Sequence, residues 1–194
     1  MTRTHVLATV IAACALAAPA APAGAQEITV KDARGDVWRE ADTVNATPAP
    51  SIRAGDITKA VIAHDGRRVS VRIVFKRLAR KGAYIQAAVK LQGSKGRVVR
   101  EVLVESSRRD RNGVVRVFNA GGRPVGNCDA DHDIDFKRDR VTLDVDRRCL
   151  HKPGRVRANV NTARATGSGI FYSDNVHDTA AESLAWSDWV KRTR

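Results

Sequence analysis

Polar and apolar residues alternate along most of the chain after Asp56, and turn-forming residues separate the alternating segments. In the stretch VSVRIVF, the apolar side chains of Val69, Val71, Ile73 and Phe75 occupy every second position. A period of two places successive side chains on opposite faces of a strand, whereas an amphipathic helix repeats about every 3.6 residues. The pattern therefore predicts β-strands with one face in a core and the other in water.

Turn signals divide this region into many short strands. Asp65-Gly66 predicts a tight hairpin, and breaks containing Gly or Asn recur at strand spacing. No segment has a convincing amphipathic helix pattern, so we predict an all-β, antiparallel β-sandwich, with a closed barrel as the alternative. The stretch Glu27–Gly55 is predicted to hold one short strand, Ile28–Val30, and then a long loop. The later strands are predicted at Ile57–His64, Val69–Phe75, Ala83–Leu91, Arg97–Val104, Val114–Asn119, Ile134–Phe136, Val141–Val145, Val156–Asn161, Gly169–Tyr172 and Ser187–Val190.

The first 25 residues have the layout of a secretory signal peptide. Arg3 precedes an apolar stretch, which ends in the small residues Ala23-Gly24-Ala25. The stretch is too short and too rich in alanine for a membrane span. We therefore expect cleavage after residue 25 and a single exported domain over residues 26–194, with no transmembrane segment and a secreted, extracellular location. In the alternative, Cys14 is the acylated cysteine of a lipoprotein.

Cys128 and Cys149 are the cysteines that remain after the signal peptide, and two cysteines in an exported chain are most simply one disulfide. If Phe136 and Val141 flank a hairpin turn, the numbers of paired residues sum to 277, and the two cysteines satisfy the same sum. Directly opposed residues of a ladder are close enough for a disulfide. The sequence thus predicts a Cys128–Cys149 bridge that closes this hairpin.

The hairpin also carries a run of aspartates, CDADHDID, that suggests a calcium loop. An EF-hand does not fit, because its glycine and its final acid are missing. The predicted register places two pairs of aspartates across the ladder on the outer face, where like charges need compensation. Either a cation such as calcium or nearby arginines can supply it, and we favour the arginines. The candidate metal ligands here are Asp131, Asp133, Asp144 and Asp146.

A second acidic group is dispersed along the chain. The stretch KDARGDVW has two aspartates in an Asp-x-x-Gly-Asp spacing that suits a tight turn, although turn chemistry alone also explains it. Carboxylates from distant segments would be needed to supply the six or more oxygens that calcium takes. The candidate calcium ligands of this group are Asp32, Asp36, Asp56, Asp174 and Asp178.

The chain is strongly basic, with a formal net charge of +13. Its arginines and lysines gather in and beside predicted loops, which attracts polyanions without sequence preference. For an exported protein the expected partner is a cell-wall glycan or an anionic envelope polymer, and solubility is the plainer explanation of the charge. Nucleic acid is not favoured, because no strand shows a platform of stacked aromatic residues. The candidate sugar-stacking residues are Trp38, Trp186 and Trp189.

Motifs of known catalytic sites are absent from the sequence. It contains no G-x-S-x-G, no H-E-x-x-H and no phosphate-binding glycine loop, and its four histidines after the signal peptide lack metal-ligand spacing. We therefore expect a protein that is not an enzyme. The alternatives are an enzyme with a dispersed site and a calcium-stabilised structural protein.

Four stretches carry a resemblance: DARGDVW, DITKAVIAHDGRRVSVRIVF, DRVTLDVDRRCL and AESLAWSDWV. In these the chain resembles exported actinobacterial proteins of unassigned function. Members of that group often have a proline where this sequence has Asp146. The opening Asp-x-x-Gly-Asp, followed by Asp-Ile and a hairpin, is also distantly similar to family nine carbohydrate-binding modules and DOMON-type domains. This similarity implies a jelly-roll-like sandwich and a ligand or calcium site.

Overall fold

The computed structural model describes residues 26–40, 46–82, 84–94, 99–176 and 185–193. Every named pair of strands in this part of the chain is antiparallel. The strands are β1 (Gln26–Lys31), β2 (Trp38–Glu40), β3 (Ala46–Pro48), β4 (Ile57–His64), β5 (Arg68–Phe75), β6 (Tyr84–Gly93), β7 (Val99–Ser107), β8 (Val114–Asn119), β9 (Ala130–Asp135), β10 (Arg140–Asp146), β11 (Arg155–Ala165), β12 (Phe171–Asn175) and β13 (Val190–Lys191). A short 3-10 helix, Arg147–Leu150, follows β10.

These strands form two sheets. The first has five strands in the order β1-β4-β5-β10-β9. The second has eight, in the order β3-β2-β12-β11-β6-β7-β8, with β13 beside β11. The prediction of an antiparallel, sandwich-like all-β fold is confirmed, and the jelly-roll connectivity stays a prediction. Signal peptide and lipoprotein predictions concern residues 1–25, which lie outside the described residues.

One apolar core joins the inward faces of the two sheets. Val69, Val71 and Ile73 of β5 are buried, as are Val89 and Leu91 of β6, and all belong to the same cluster. The inward residues occupy every second position, as the alternating pattern predicts. Among the described residues, no helix has the length and apolar character needed to cross a bilayer.

The predicted loop over Glu27–Gly55 contains more regular structure than its sequence indicates. Two short strands, β2 and β3, pair with each other, and β2 also pairs with β12. Their sequences, WRE and ATP, are too short to show a period of two. The loop prediction is therefore wrong over these residues, because β2 pairs with the distant β12 and β3 pairs with β2.

The hairpin β9–β10 has a different register from the predicted one. Asp135 pairs with Arg140 and Asp131 with Asp144, so paired numbers sum to 275 rather than 277. The turn begins earlier because a carboxylate oxygen of Asp135 accepts the backbone N–H groups of Lys137 and Arg138, each at 3.0 Å. The slip is by an even number, so the inward and outward faces are as predicted.

The Cys128–Cys149 disulfide is confirmed, but it does not lie in the ladder. Cys149 belongs to the 3-10 helix that follows β10, and Cys128 precedes β9. The Cα atoms are 5.1 Å apart. The bridge therefore closes the hairpin just beyond the paired residues, where the helical turn takes up the two-residue difference in register.

Candidate cation and anion sites

The first candidate site lies between the β1–β2 turn and the ends of β4 and β12. Asp32 follows β1, and its backbone N–H donates to the carbonyl oxygen of Thr58 at 3.1 Å. The chain then turns through Gly35, whose φ of +78° is accessible to glycine at little cost. A side chain at Gly35 would also stand 3.1 Å from the carbonyl oxygen of Pro50. This turn returns Asp36 toward Asp32.

Asp174 of β12 completes the group. One carboxylate oxygen from each of Asp32, Asp36 and Asp174 lies within 4.8 Å of the others. Asp174 is 1% exposed, and its Oδ2 accepts the backbone N–H of Ile57 at 2.6 Å. These carboxylates come from segments more than a hundred residues apart, so only the fold brings them together.

Asp56 is adjacent to these three. It is fully buried, and its Oδ2 accepts the backbone N–H of Gly35 at 3.2 Å. Its Oδ1 is buried and has no hydrogen-bond partner. We call Asp32, Asp36, Asp56 and Asp174 the acidic site. Asp178, the fifth residue predicted for this group, lies outside the described residues.

Burial and mutual repulsion both favour protonation in the acidic site. Burial raises the pKa of Asp174 to about 8, although the hydrogen bond from the Ile57 N–H has the opposite effect. The negative charges of Asp32, Asp36 and Asp56 add to the rise. Burial also raises the pKa of Asp36, with a further contribution from Asp56. Oxygen ligands of this kind suit a hard divalent cation such as calcium.

The aspartates of the β9–β10 hairpin have different surroundings. We call Asp129, Asp131, Asp133, Asp144 and Asp146 the aspartate ladder. Asp129, Asp131 and Asp133 are exposed. The side chain of Arg148 donates to Asp146 at 2.8 Å, and Arg68 lies 3.6 Å from Asp129. Ser70 donates to Asp144. Arginine and hydroxyl partners thus compensate the charge of Asp129, Asp144 and Asp146.

The second candidate site is a cleft of about 930 Å³ at one end of the sandwich. The chain after β5 forms one wall, and the β9–β10 turn forms another. These two walls are joined, because Leu78 donates its backbone N–H to Asp139 Oδ1 at 2.7 Å. Residues from the β3–β4 connection and from β11 complete the lining. We call this the basic cleft.

Seven basic residues and one acid, Asp139, line the basic cleft. Among the described residues, Lys76 is the one of the seven that forms an ion pair. Arg164 is half-buried, and its guanidinium carbon lies 5.8 Å from the centre of the Tyr172 ring. The sequence indicated several of these as loop clusters, but nothing local predicted that Arg53, Lys76 and Arg164 would join them. The seven are Arg53, Lys76, Arg77, Arg80, Lys81, Lys137 and Arg164.

A smaller basic depression of about 560 Å³ lies at the opposite end of β5 and β10. Three of its basic side chains already have partners. Arg148 binds Asp146 and Arg68 pairs with Asp129, while Arg147 donates to the carbonyl oxygen of Gly66 at 2.7 Å. We call it the turn-end patch. It is lined by Gly66, Arg67, Arg68, Asp146, Arg147, Arg148 and Lys152.

Trp186 and Trp189 lie on the same side of the chain rather than on opposite faces of a strand. Residues 185–189 do not form a strand. The backbone N–H of Ser187 donates to Ala158, but the N–H of Ala158 donates to the Ser187 hydroxyl rather than to a backbone carbonyl. The Arg157 guanidinium lies 4.9 Å from the centre of each indole ring. Arg155 lies 5.0 Å from that of Trp189. Both half-buried rings are therefore already in contact with arginine.

Trp38 is half-buried in β2, where it pairs with Pro48 and with Ser173 of β12. Ser173 pairs in turn with Ala163, six residues along β11 from Arg157. At about 3.3 Å per residue this separation is roughly 20 Å. The three tryptophans do not form one platform.

No family model matches the chain significantly, and neither does any curated protein or solved structure.

Proposed function

We propose that this protein is an exported, non-catalytic binding module that holds an anionic polymer in the basic cleft. The observation that carries the proposal is the set of seven basic residues, with one acid, that line a cleft of about 930 Å³. Of the seven, only Lys76 has an ion-pair partner in the described part of the chain. Phosphate or carboxylate groups of an envelope polymer would supply the missing counter-charge.

The basic cleft is better suited to this role than the turn-end patch. In the patch, Arg68, Arg147 and Arg148 already have protein partners, so an anion would have to displace them. A polymer also suits the size and openness of the basic cleft. Repeated charges can engage several arginines and lysines at once, and each contact adds to the affinity.

A neutral glycan is a less suitable ligand. Stacking on a sugar requires an exposed indole face, and both Trp186 and Trp189 are half-buried against arginines. Trp38 stands apart from them on β2. The tryptophans therefore favour a structural role, in which they hold residues 185–191 against β11.

The binding test measures affinity for inorganic polyphosphate and for neutral dextran at two salt concentrations. We expect polyphosphate to bind, with an affinity that falls steeply as salt rises, and dextran not to bind. The triple substitution R77Q/R80Q/K81Q should weaken binding at least tenfold. The matched control R67Q/R147Q/K152Q removes the same charge from the turn-end patch and should change binding by no more than about threefold. Equal losses in the two variants would refute a site in the basic cleft.

A second candidate function, stabilisation by calcium, is favoured by the acidic site. Three carboxylate oxygens within 4.8 Å of one another, beside the buried Asp56, resemble a coordination shell more than a solvated surface. Asp32, Asp36 and Asp174 would hold the ion, and water would supply further oxygens. We expect calcium at millimolar concentration to raise Tm relative to a chelator, and magnesium to raise it less. No rise with either ion would exclude this function.

A further inference from the structure

The acidic site and the basic cleft share a boundary at Lys76. Lys76 lines the basic cleft, and its Nζ lies 3.6 Å from Oδ2 of Asp56 in the acidic site. Its backbone N–H also donates to the carbonyl oxygen of Asp56 at 2.7 Å. One lysine therefore serves as counter-charge for the buried carboxylate and as part of the lining of the cleft.

The acidic site lacks polar partners that a bound cation would supply. Asp56 is fully buried, yet its Oδ1 has no hydrogen-bond partner. Both carboxylate oxygens of Asp36 are also buried without a hydrogen bond from another residue. Buried carboxylate oxygens are rarely left in this state unless a cation or ordered water satisfies them. Oδ2 of Asp56 accepts a hydrogen bond from the backbone N–H of Gly35, the neighbour of Asp36. The Asp56 carboxyl therefore borders the other carboxyls of the acidic site.

Lys76 is able to change partner. Its side chain is 32% exposed, whereas that of Asp56 is fully buried. The lysine stem is flexible, so its ammonium group can turn into the cleft while the Asp56 carboxylate stays in place. A doubly charged ion near Asp56 would attract the carboxylate more strongly than the ammonium does and would repel that ammonium.

We propose that a divalent cation in the acidic site strengthens the binding of an anionic polymer in the basic cleft, because it replaces Lys76 as the counter-charge of Asp56. This inference rests on the proposed anion-binding function. Such coupling is reciprocal, so the polymer also strengthens cation binding by the same factor. The cation thereby acts as a positive effector of the cleft, through a single side chain that belongs to both sites.

The test measures affinity for dextran sulfate in calcium and in a chelator, at one ionic strength. Sulfate groups hold calcium less tightly than phosphate groups do, so the probe itself is little altered. We expect the wild-type protein to bind about three- to tenfold more tightly in calcium. Asp36→Asn, which loses a cation ligand, should bind with the chelator affinity in both conditions. Asp133→Asn, a matched change in the aspartate ladder, should keep the full response.

Lys76→Met separates the coupling from calcium-dependent folding. Without the ammonium group, binding should be weaker than wild type in calcium and should no longer respond to the ion, while the rise in Tm with calcium persists. Wild-type binding that is equal in calcium and chelator would overturn the coupling and leave the anion-binding function intact. No binding of dextran sulfate or polyphosphate in either condition would overturn both. A calcium response retained in Lys76→Met would also refute the exchange of partners.

Discussion

Two acidic regions of this protein differ in a way that their sequences conceal. The aspartate ladder is dense in sequence, but its side chains are exposed or paired with arginine and serine. The acidic site is dispersed over more than a hundred residues, yet its carboxylates lie together and are largely buried. Density along the chain thus does not indicate which carboxylates converge in the fold. The convergence of the acidic site, with few counter-charges, is the basis of the calcium proposal.

The largest expected effect concerns the covalent closure of the aspartate ladder. Replacing both Cys128 and Cys149 by alanine should cost about 3 kcal/mol, since the bridge no longer restricts the unfolded chain. Tm should fall by roughly 6–12 °C. The rise in Tm with calcium should remain, because the acidic site does not include the hairpin. Loss of that calcium response would show that the ladder, and not the acidic site, binds the ion.

Asp174→Asn and Asp133→Asn compare the two regions directly. At calcium concentrations a hundred times Kd, binding should add about 2.7 kcal/mol to the free energy of unfolding of the wild-type protein. This corresponds to roughly 5–10 °C in Tm. We expect the gain to vanish in Asp174→Asn and to persist in Asp133→Asn, as measured by calorimetry. The reverse result would assign the ion to the ladder.

The pH dependence of stability should have opposite signs in the two regions. The pKa of Asp174 is raised by burial to about 8, so its carboxyl binds a proton more tightly in the folded than in the unfolded chain. When a chelator is present, the contribution of this carboxyl to the free energy of unfolding is complete below pH ~4 and is lost as the pH rises toward 8. Asp174→Asn should flatten this decline in Tm. An unchanged slope in the variant would contradict the assignment to this carboxyl.

In the ladder, hydrogen bonds from Arg148 lower the pKa of Asp146. The contribution of this carboxylate is present above pH ~4 and is lost as pH falls through the lowered pKa. Asp146→Asn should therefore lower Tm between pH 5 and 8, and its Tm should approach that of the wild type as the pH falls into the acid range. A variant whose Tm declines in acid as steeply as wild type would show that other carboxylates dominate there.

The smallest expected effect is that of a single exposed ion pair in the ladder. Arg148→Met removes the contact with Asp146, and the Arg148 side chain is 72% exposed. Exposed ion pairs contribute little to stability because solvent screens them, so Tm should fall by no more than roughly 4 °C. Thermal unfolding at low and high salt checks this, because the difference from wild type should shrink as salt screens the pair. A larger loss would mean that the ladder depends on this arginine.

Local patterns predicted much of the fold correctly. The strand over Val114–Asn119 has the predicted bounds, and so does Ile57–His64. In both, backbone conformation follows from alternation and adjacent turn residues. Strands β2 and β3 are absent from the prediction, because three residues are too few to show a period and β2 is held by the distant β12. The β9–β10 register differs from the predicted one because of one side chain. The carboxylate of Asp135 accepts the backbone N–H groups of Lys137 and Arg138, so the turn begins earlier than predicted.

By itself, the sequence determined the fold class, the Cys128–Cys149 pairing and the outward face of the aspartate ladder. These depend on period, parity and composition, which are local properties of the chain. The tertiary structure decided which acids converge, that Lys76 borders both the acidic site and the basic cleft, and that Arg157 lies against Trp186 and Trp189. Such contacts join residues far apart in the chain. They depend on how the two sheets pack, which no local pattern encodes.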